Sequence, residues 1–203
     1  QELFRENKRT GPEFRMKQAR IFIISGPGGA GKTTLLNKLF RKEQIQKSFM
    51  KGISITTRPK RPQEKDGKDY FFVSKEEFSK LEKKKFFLES QKILDDHYGT
   101  PKILYLLAKR LKKGLILCLD VKGAMYLKKS KRLGKIVTIF IGAPTEKDLY
   151  RRMKKRVEAR DVAKRRVKLA KKEVQFSKRY DFLVVNKDIR STLRKLEKII
   201  PAD

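Results

Sequence analysis

Residues 21–34, IFIISGPGGAGKTT, decide the fold of this chain. The apolar run Ile21–Ile24 is typical of a buried strand, and the residues after Thr33 have the apolar spacing of a helix. Between them, Gly26–Thr33 matches the pattern G-x-x-x-x-G-K-[ST] in full, and we call it the phosphate loop. Its glycines let backbone N–H groups point at phosphate oxygens, and the following helix N-terminus adds positive potential. An ordinary glycine-rich turn is the alternative, but the strand, loop and helix in this order predict a nucleoside triphosphate site.

Two side chains of the phosphate loop have distinct predicted roles. We expect Lys32 to reach the outer phosphates and the Thr33 hydroxyl to ligate Mg²⁺, the cofactor that accompanies a nucleoside triphosphate. The predicted triphosphate-binding residues, which the family resemblance described below assigns to ATP, are Gly26, Pro27, Gly28, Gly29, Ala30, Gly31, Lys32, Thr33 and Thr34.

Charge is the unusual feature of the composition. The 203 residues include 54 Lys and Arg against 23 Asp and Glu, a net charge of +31. Such a chain could bind nucleic acid or an anionic membrane, or it could be an enzyme with a lysine-rich surface whose substrates are polyanions. The basic residues are spread along the chain, and the densest stretch, 151–179, holds 14 basic and 3 acidic residues. We favour the enzyme, with nucleic acid bound only non-specifically.

The cysteine content and the hydropathy of the chain predict its cellular compartment. Cys118 is the single cysteine, which excludes an intrachain disulfide and predicts a reducing, cytoplasmic environment. It lies in an apolar run, where a buried, inert thiol is expected. No apolar stretch approaches the roughly 20 residues that span a bilayer, and residues 1–20 do not have the pattern of a secretory signal, so no membrane partner is expected. Residues 1–18 are predicted to be an extension that is flexible or not native.

Alternating strands and helices predict a three-layer α/β domain with a parallel sheet. The predicted strands are Ile21–Ser25, Gly52–Thr56, Leu115–Asp120, Ile136–Ile141 and Phe182–Asn186. The predicted helices are Lys32–Phe40, Lys102–Lys112, Lys122–Lys129, Glu146–Lys155 and Ser191–Ile199.

Two segments of different composition interrupt this pattern within the predicted single domain, 19–203. The core is expected at 19–56 and 101–203, with an insert at 57–100. In the insert, Asp69–Val73 predicts a strand, and Ser74 with Glu77 forms a capping box that opens a helix. A charged segment at about 152–166 has few large apolar residues, which predicts a mobile lid.

The insert carries residues suited to a second, phosphorylated substrate. Arg58 and Arg61 lie three apart after a strand, and arginine forks bind phosphate, with tyrosine hydroxyls as additional donors. The Glu89 carboxylate can accept two parallel hydrogen bonds from N1–H and N2–H₂ of guanine, a pair that adenine does not offer. Taken singly, these arginines could be surface charges, and Asp120 after a strand could be a helix N-cap.

The motifs GPGGAGKTT, SITTRPKR, DGKDYFFV, FLE and YGTP follow one another in this order. On these motifs the sequence resembles the guanylate kinase family over about residues 19–201. The resemblance implies a P-loop fold with a small α+β GMP-binding insert and a mobile helical lid. It also implies the reaction ATP + GMP ⇌ ADP + GDP in purine nucleotide metabolism; the sequence leaves open whether dGMP is also an acceptor.

The resemblance assigns roles to residues at matching positions. It implies that the GMP phosphate is held by Arg58, Arg61, Tyr70 and Tyr98 and that guanine is bound by Ser54, Glu89 and Asp120. The catalytic residues that it implies are Lys32, Arg58, Arg152, Arg156 and Arg166. Three departures are evident: Cys118 replaces an acidic residue, Asp95–His97 replaces G-N-Y, and the lid is one residue short.

Two other function classes fit parts of the sequence. One is a non-catalytic guanylate kinase-like module that binds a phosphorylated partner, and the other is a nucleic-acid-binding protein with a vestigial kinase fold. The phosphate loop argues for the enzyme. We expect a monomer or a weak oligomer.

Overall fold

The computed structural model of the chain describes residues 21–130, 133–154 and 160–202, except for the side chains of residues 154–164. In these residues, strands run at Ile21–Ser25 (β1), Phe49–Lys51 (β2), Ile55–Thr56 (β3), Phe71–Phe72 (β4), Phe87–Ile93 (β5), Asp96–Pro101 (β6), Gly114–Cys118 (β7), Ile136–Gly142 (β8) and Phe182–Val185 (β9). Helices run at Lys32–Leu39 (α1), Glu43–Ser48 (α2), Lys75–Lys83 (α3), Lys102–Arg110 (α4), Val121–Lys128 (α5), Glu146–Lys154 (α6), Arg160–Gln175 (α7) and Ile189–Ile199 (α8).

A five-stranded parallel sheet, in the order β2-β7-β1-β8-β9, forms the centre of the molecule. Its middle strand, β1, pairs with β7 and β8, so that Ile21 lies opposite both Leu115 and Ile136. All side chains of β1 are buried, as expected for a parallel strand covered on both faces. The phosphate loop therefore leaves from the middle of the sheet.

Helices cover both faces of this sheet. Successive strand residues point to opposite faces, so β1 contributes to two cores. Phe22 and Ile24 pack with α1 and α8, and Ile21 and Ile23 pack with α4 and α5. The predicted three-layer α/β class is confirmed.

A second, four-stranded sheet has the order β4-β3-β6-β5 and lies in the predicted insert region. Ile55, Phe78 and Phe87 form its buried cluster, and the Phe78 and Phe87 rings stack with centroids 4.7 Å apart. The predicted capping box is present, since Glu77 N donates to Ser74 Oγ (3.1 Å) and Ser74 N donates to Glu77 Oε2 (2.8 Å).

The predicted strand Gly52–Thr56 is wrong as a member of the parallel sheet. Phe49–Lys51 takes that place beside β7, and the chain leaves the sheet at Gly52. A Cβ on Gly52 would lie 2.2 Å from Leu117 Cδ2, so a larger residue here would displace that buried side chain. Ile55 and Thr56 then pair with β6 and β4 in the second sheet.

The lid region contains more helix than predicted. α6 ends at Lys154, α7 begins at Arg160, and α7 continues to Gln175, beyond the predicted end of the lid. The extension 1–18 and the middle of the lid lie outside the described residues. In the part of the chain that is described, no helix is long and apolar enough to span a bilayer.

Candidate active site

The phosphate loop joins β1 to α1 through a backbone that requires glycine at two positions. Gly26 has φ 136°, and a Cβ there would lie 2.2 Å from Ile141 O. Gly31, the N-cap of α1, has φ 89°, and a Cβ there would lie 2.6 Å from Asn186 Nδ2. The same Asn186 amide donates to Ala30 O (2.8 Å), which fixes the loop to the end of β9. The loop is thus held by contacts that any larger residue would break.

The side chains predicted to bind ATP lie at the end of this loop and at the start of α1. Lys32 Nζ donates to Gly26 O (2.5 Å) and Pro27 O (3.0 Å), so the ammonium group lies across the loop itself. Thr33 is half-buried and Thr34 is exposed. Lys32 and Thr33 occupy the positions at which a phosphate-binding helix N-terminus presents its charge and hydroxyl.

A small cleft, with a volume of about 10 Å³, has lining residues from both predicted substrate sites. It is lined by Thr33 of α1, Lys51, Ser54, Tyr70 and Cys118. Cys118 is half-buried rather than fully buried as predicted, and burial raises the pKa of its thiol. The thiol is therefore protonated at neutral pH and offers no negative charge to the cleft.

The phosphate end of the predicted GMP site is built around Arg58, which is buried at 6% exposure. Its guanidinium carbon lies 5.6 Å from the Tyr70 ring centre and 5.7 Å from that of Phe72. The Tyr70 and Tyr98 rings meet edge to face with centroids 6.0 Å apart. The structure therefore gathers one arginine and two tyrosines that are distant in sequence.

A carboxylate that we did not predict from the sequence, Glu64, connects the two arginines. Arg58 NH2 donates to both Glu64 oxygens (2.8 and 2.9 Å), and Arg61 N donates to Glu64 Oε2 (3.0 Å). Arg61 NH1 lies 3.6 Å from Glu64 Oε1. Glu64 is the counter-ion of the arginine pair, and its signal in the sequence is an acid three residues after Arg61.

The guanine end of the predicted site contains a second buried carboxylate, Glu89, on β5. Glu89 Oε1 accepts a hydrogen bond from Thr100 Oγ1 (2.7 Å), which lies 3.5 Å from Ser54 Oγ. Burial raises the pKa of Glu89 to about 7, with a smaller contribution from the negative charge of Asp120, while the Thr100 hydrogen bond opposes the shift. The arrangement leaves Glu89 close to the midpoint of its titration at neutral pH.

Asp120 lies across from Glu89 and has a structural role as well. It caps α5 by accepting from Lys122 N (3.0 Å) and Gly123 N (2.9 Å), which confirms the N-cap alternative. A Cβ on Gly123 would lie 2.7 Å from Glu89 Oε2 and 2.9 Å from Asp120 Oδ1. The two carboxylates therefore converge on a helix position that has no side chain, and burial raises the pKa of Asp120 too.

The predicted lid arginines are placed only in part. Arg152 NH2 donates to Asn186 O (3.1 Å), beside the phosphate loop. Arg166 is half-buried on α7 and lies within electrostatic reach of Glu173. Arg156 lies outside the described residues.

Glu173 is a further site residue that we did not predict from the sequence. Burial raises the pKa of Glu173 to about 7, and the positive charges of Lys32 and Arg166 oppose that shift, while Asp120 adds to it. Glu173 follows Arg166 by seven residues, two helical turns, so both lie on one face of α7. That spacing is the signal in the sequence that could have identified it.

Besides the Arg152 bond to Asn186, two further features connect the lid helices to the rest of the site. Gly29 of the phosphate loop is close to α6, since a Cβ there would lie 3.0 Å from Met153 Cγ. Arg165 of α7 pairs with Asp95 at the turn between β5 and β6 (2.8 Å). Asp95 is one of the residues that depart from the family pattern, and this exposed pair links the lid to the second sheet.

Comparison with known proteins identifies the family. A protein-family model described as guanylate kinase matches residues 18–203. A guanylate kinase of Aster yellows witches'-broom phytoplasma is 39% identical over 188 residues, 92% of this chain and 88% of the relative. One of Caldanaerobacter subterraneus subsp. tengcongensis is 40% identical over 190 residues, 92% and 89% of the two chains. The crystal structure of guanylate kinase from Anaplasma phagocytophilum superposes with a TM-score of 0.74 at 31% identity, over 91% of this chain and 86% of that one.

Proposed function

The chain belongs to the guanylate kinase family, and on that premise we propose how its cleft transfers the γ-phosphate of ATP to GMP. The observation that carries the proposal is the shared cleft, in which Thr33 of the phosphate loop helix faces Ser54 and Tyr70. Donor and acceptor sites that open into one cleft can align two nucleotides in line, and alignment is most of what phosphoryl transfer needs.

We propose that the GMP phosphate is held by Arg58 and Arg61, with the hydroxyls of Tyr70 and Tyr98 as neutral donors. The burial of Arg58 supports this role, because a guanidinium in a low-dielectric pocket attracts a phosphate dianion more strongly than one in water. Guanine would be held by Glu89 with Ser54 and Asp120. A carboxylate that accepts from two adjacent N–H groups selects guanine over adenine.

On the donor side, Gly26–Thr34 would hold ATP, with Lys32 on the outer phosphates. The half-buried Thr33 hydroxyl is suited to Mg²⁺, which usually takes one or two protein ligands and completes its shell with water and substrate phosphates. When bound, Mg²⁺ neutralises charge on the transferring group. Arg152 and Arg166, with Arg156, would add positive charge from the lid. No general base is needed, because the acceptor is already a phosphate oxygen.

The proposal is tested by ADP release in a coupled assay with ATP, Mg²⁺ and each of GMP, dGMP, AMP, CMP and UMP. We expect turnover with GMP and weaker turnover with dGMP. Lys32→Ala and Arg58→Ala should each lower kcat/KM for GMP by about 10³-fold while the fold survives. Arg41→Ala, an exposed arginine after α1, is the matched control and should retain activity. Near-normal turnover in either site variant would contradict the assignment, and ATP binding without turnover would point to the binding module.

A further inference from the structure

Large apolar side chains are concentrated on the surface of one helical layer. Ile103, Leu106, Leu107 and Leu111 are 46%, 56%, 37% and 56% exposed, and Tyr126 of α5 is 59% exposed. In the described part of the chain, these are five of the eight large hydrophobic side chains that are exposed. Such a concentration marks an interaction surface, because single exposed apolar residues are normally scattered.

The four aliphatic residues form a single stripe along α4. Their spacing of i, i+3, i+4 and i+8 places them on the same side of the helix and of the turn after it. The opposite side of α4, with Leu104, Tyr105 and Ala108, already packs in the core with α5 and β7. The stripe therefore has no partner within the described residues, and we call it the α4 stripe.

The surroundings of the α4 stripe are strongly basic. Residues 102–130 contain eight Lys and Arg but only one acidic residue, Asp120, whose carboxylate is committed to capping α5. Lys102, Lys109, Arg110 and Lys112 are exposed, and none of them forms an ion pair with a carboxylate in the part of the chain that the structure describes. The kinase reaction uses none of these charges.

Charge complementarity decides which occupant suits this surface. A second copy of the chain would place the same basic rim against the α4 stripe, which like charges oppose. Nucleic acid would match the charge, but its phosphate backbone offers no apolar slot for leucines. An anionic lipid surface matches both features, because it takes aliphatic side chains between acyl chains and Lys or Arg at its phosphates.

We propose that the α4 stripe docks the protein onto anionic lipid surfaces. Ile103, Leu106 and Leu111 would enter the headgroup boundary, and the exposed basic residues on and directly after α4 would lie at the lipid phosphates. The net charge of +31 favours a partner with a broad anionic surface, such as a membrane, over a partner with a local acidic groove, because a broad surface can bind many basic side chains at once. The proposal departs from the sequence-based expectation of no membrane partner, requires no spanning helix, and is independent of the proposed reaction.

Cosedimentation of the full chain with vesicles tests this proposal. We expect binding to phosphatidylglycerol/phosphatidylcholine vesicles and none to phosphatidylcholine alone. Leu106→Gln/Leu111→Gln should weaken that binding at least about tenfold, because two apolar contacts are lost. The matched control is Tyr150→Gln/Ile189→Gln, which changes exposed apolar residues on α6 and α8 (51% and 38%) and should bind like the unmodified chain. Kinase activity without vesicles verifies that both variants are folded.

Several results would overturn the proposal. Absence of binding to the anionic vesicles would do so, and so would equal binding by both double variants, which would show that charge alone is responsible. Light scattering that finds a dimer broken only by Leu106→Gln/Leu111→Gln would assign the α4 stripe to a second copy. Retention of the unmodified chain by an acidic, amphipathic helical peptide but not by vesicles would assign it to a protein partner.

Discussion

Removal of Glu64 should destabilise the protein far more than removal of a surface carboxylate. Arg58 and Glu64 are 7% and 15% exposed in their side chains, and two hydrogen bonds of 2.8 and 2.9 Å join them. Breaking a buried ion pair leaves an uncompensated charge and costs about 3–5 kcal/mol. Arg58 keeps its bond to Pro59 O (2.6 Å) and its contacts with Tyr70 and Phe72, which places the expected loss for Glu64→Ala at the lower end, about 3 kcal/mol.

Urea unfolding measures this loss directly, as a lower midpoint at an unchanged slope. The equivalent fall in Tm is about 6–12 °C for a chain of this size. The matched control is Glu43→Ala, because Glu43 pairs with Lys47 at 2.6 Å but both side chains are more than two-thirds exposed, at 79% and 70%. The control should lose less than about 1 kcal/mol. Equal losses in the two variants would refute the argument that burial makes Glu64 important.

Further predictions concern Glu89 and two backbone positions. We propose that guanine binds the Glu89 carboxylate, and burial raises the pKa of Glu89 to about 7, so guanosine affinity measured by calorimetry should fall about tenfold per pH unit below that value, and Glu89→Gln should abolish the dependence. The same raised pKa means that the folded state takes up a proton, so the contribution of Glu89 to the free energy of unfolding should decline as pH rises from 4.5 towards about 7. Lys85→Gly should raise the free energy of unfolding by about 1 kcal/mol, since Lys85 has φ 53°, whereas Lys84→Gly, at φ −76°, should lower it; urea unfolding measures both changes. Gly123→Ala should lower the free energy of unfolding by about 1–3 kcal/mol and raise KM for GMP, although alanine normally stabilises a helix relative to glycine. An unchanged urea midpoint and KM would show that the carboxylates of Glu89 and Asp120 do not converge on Gly123.

Features set by neighbours in sequence could be predicted well. The phosphate loop, the Ser74–Glu77 capping box and the start of α4 follow from backbone preferences within a few residues. The bounds of β1 were predicted to the residue, because the four consecutive apolar side chains of Ile21–Ile24, followed by Ser25 and the first loop glycine, are typical of a strand buried on both faces. The roles assigned to Arg58, Glu89 and the other site residues remain predictions, although the structure places Thr33, Ser54 and Tyr70 around one small cleft.

Features set by residues distant in sequence could not be predicted. The apolar run at Gly52–Thr56 has the composition of a core strand, yet Phe49–Lys51 pairs with β7 and Ile55–Thr56 pairs in the second sheet. Apolar residues occur on both the buried and the exposed side of α4. The sequence alone therefore could not show which leucines face the core and which face outward. That distinction is set by the sheet against which the helix packs.

The sequence by itself determined the phosphate loop, the α/β class and the set of side chains from which a GMP site could be built, because these depend on local backbone chemistry and on residue type. Only the tertiary structure decided that Glu64 bridges Arg58 and Arg61, that Glu173 lies within electrostatic reach of Lys32, and that burial raises the pKa of Glu89 to about 7. The physical reason is that charge pairing and desolvation act through space, between groups that the fold brings together.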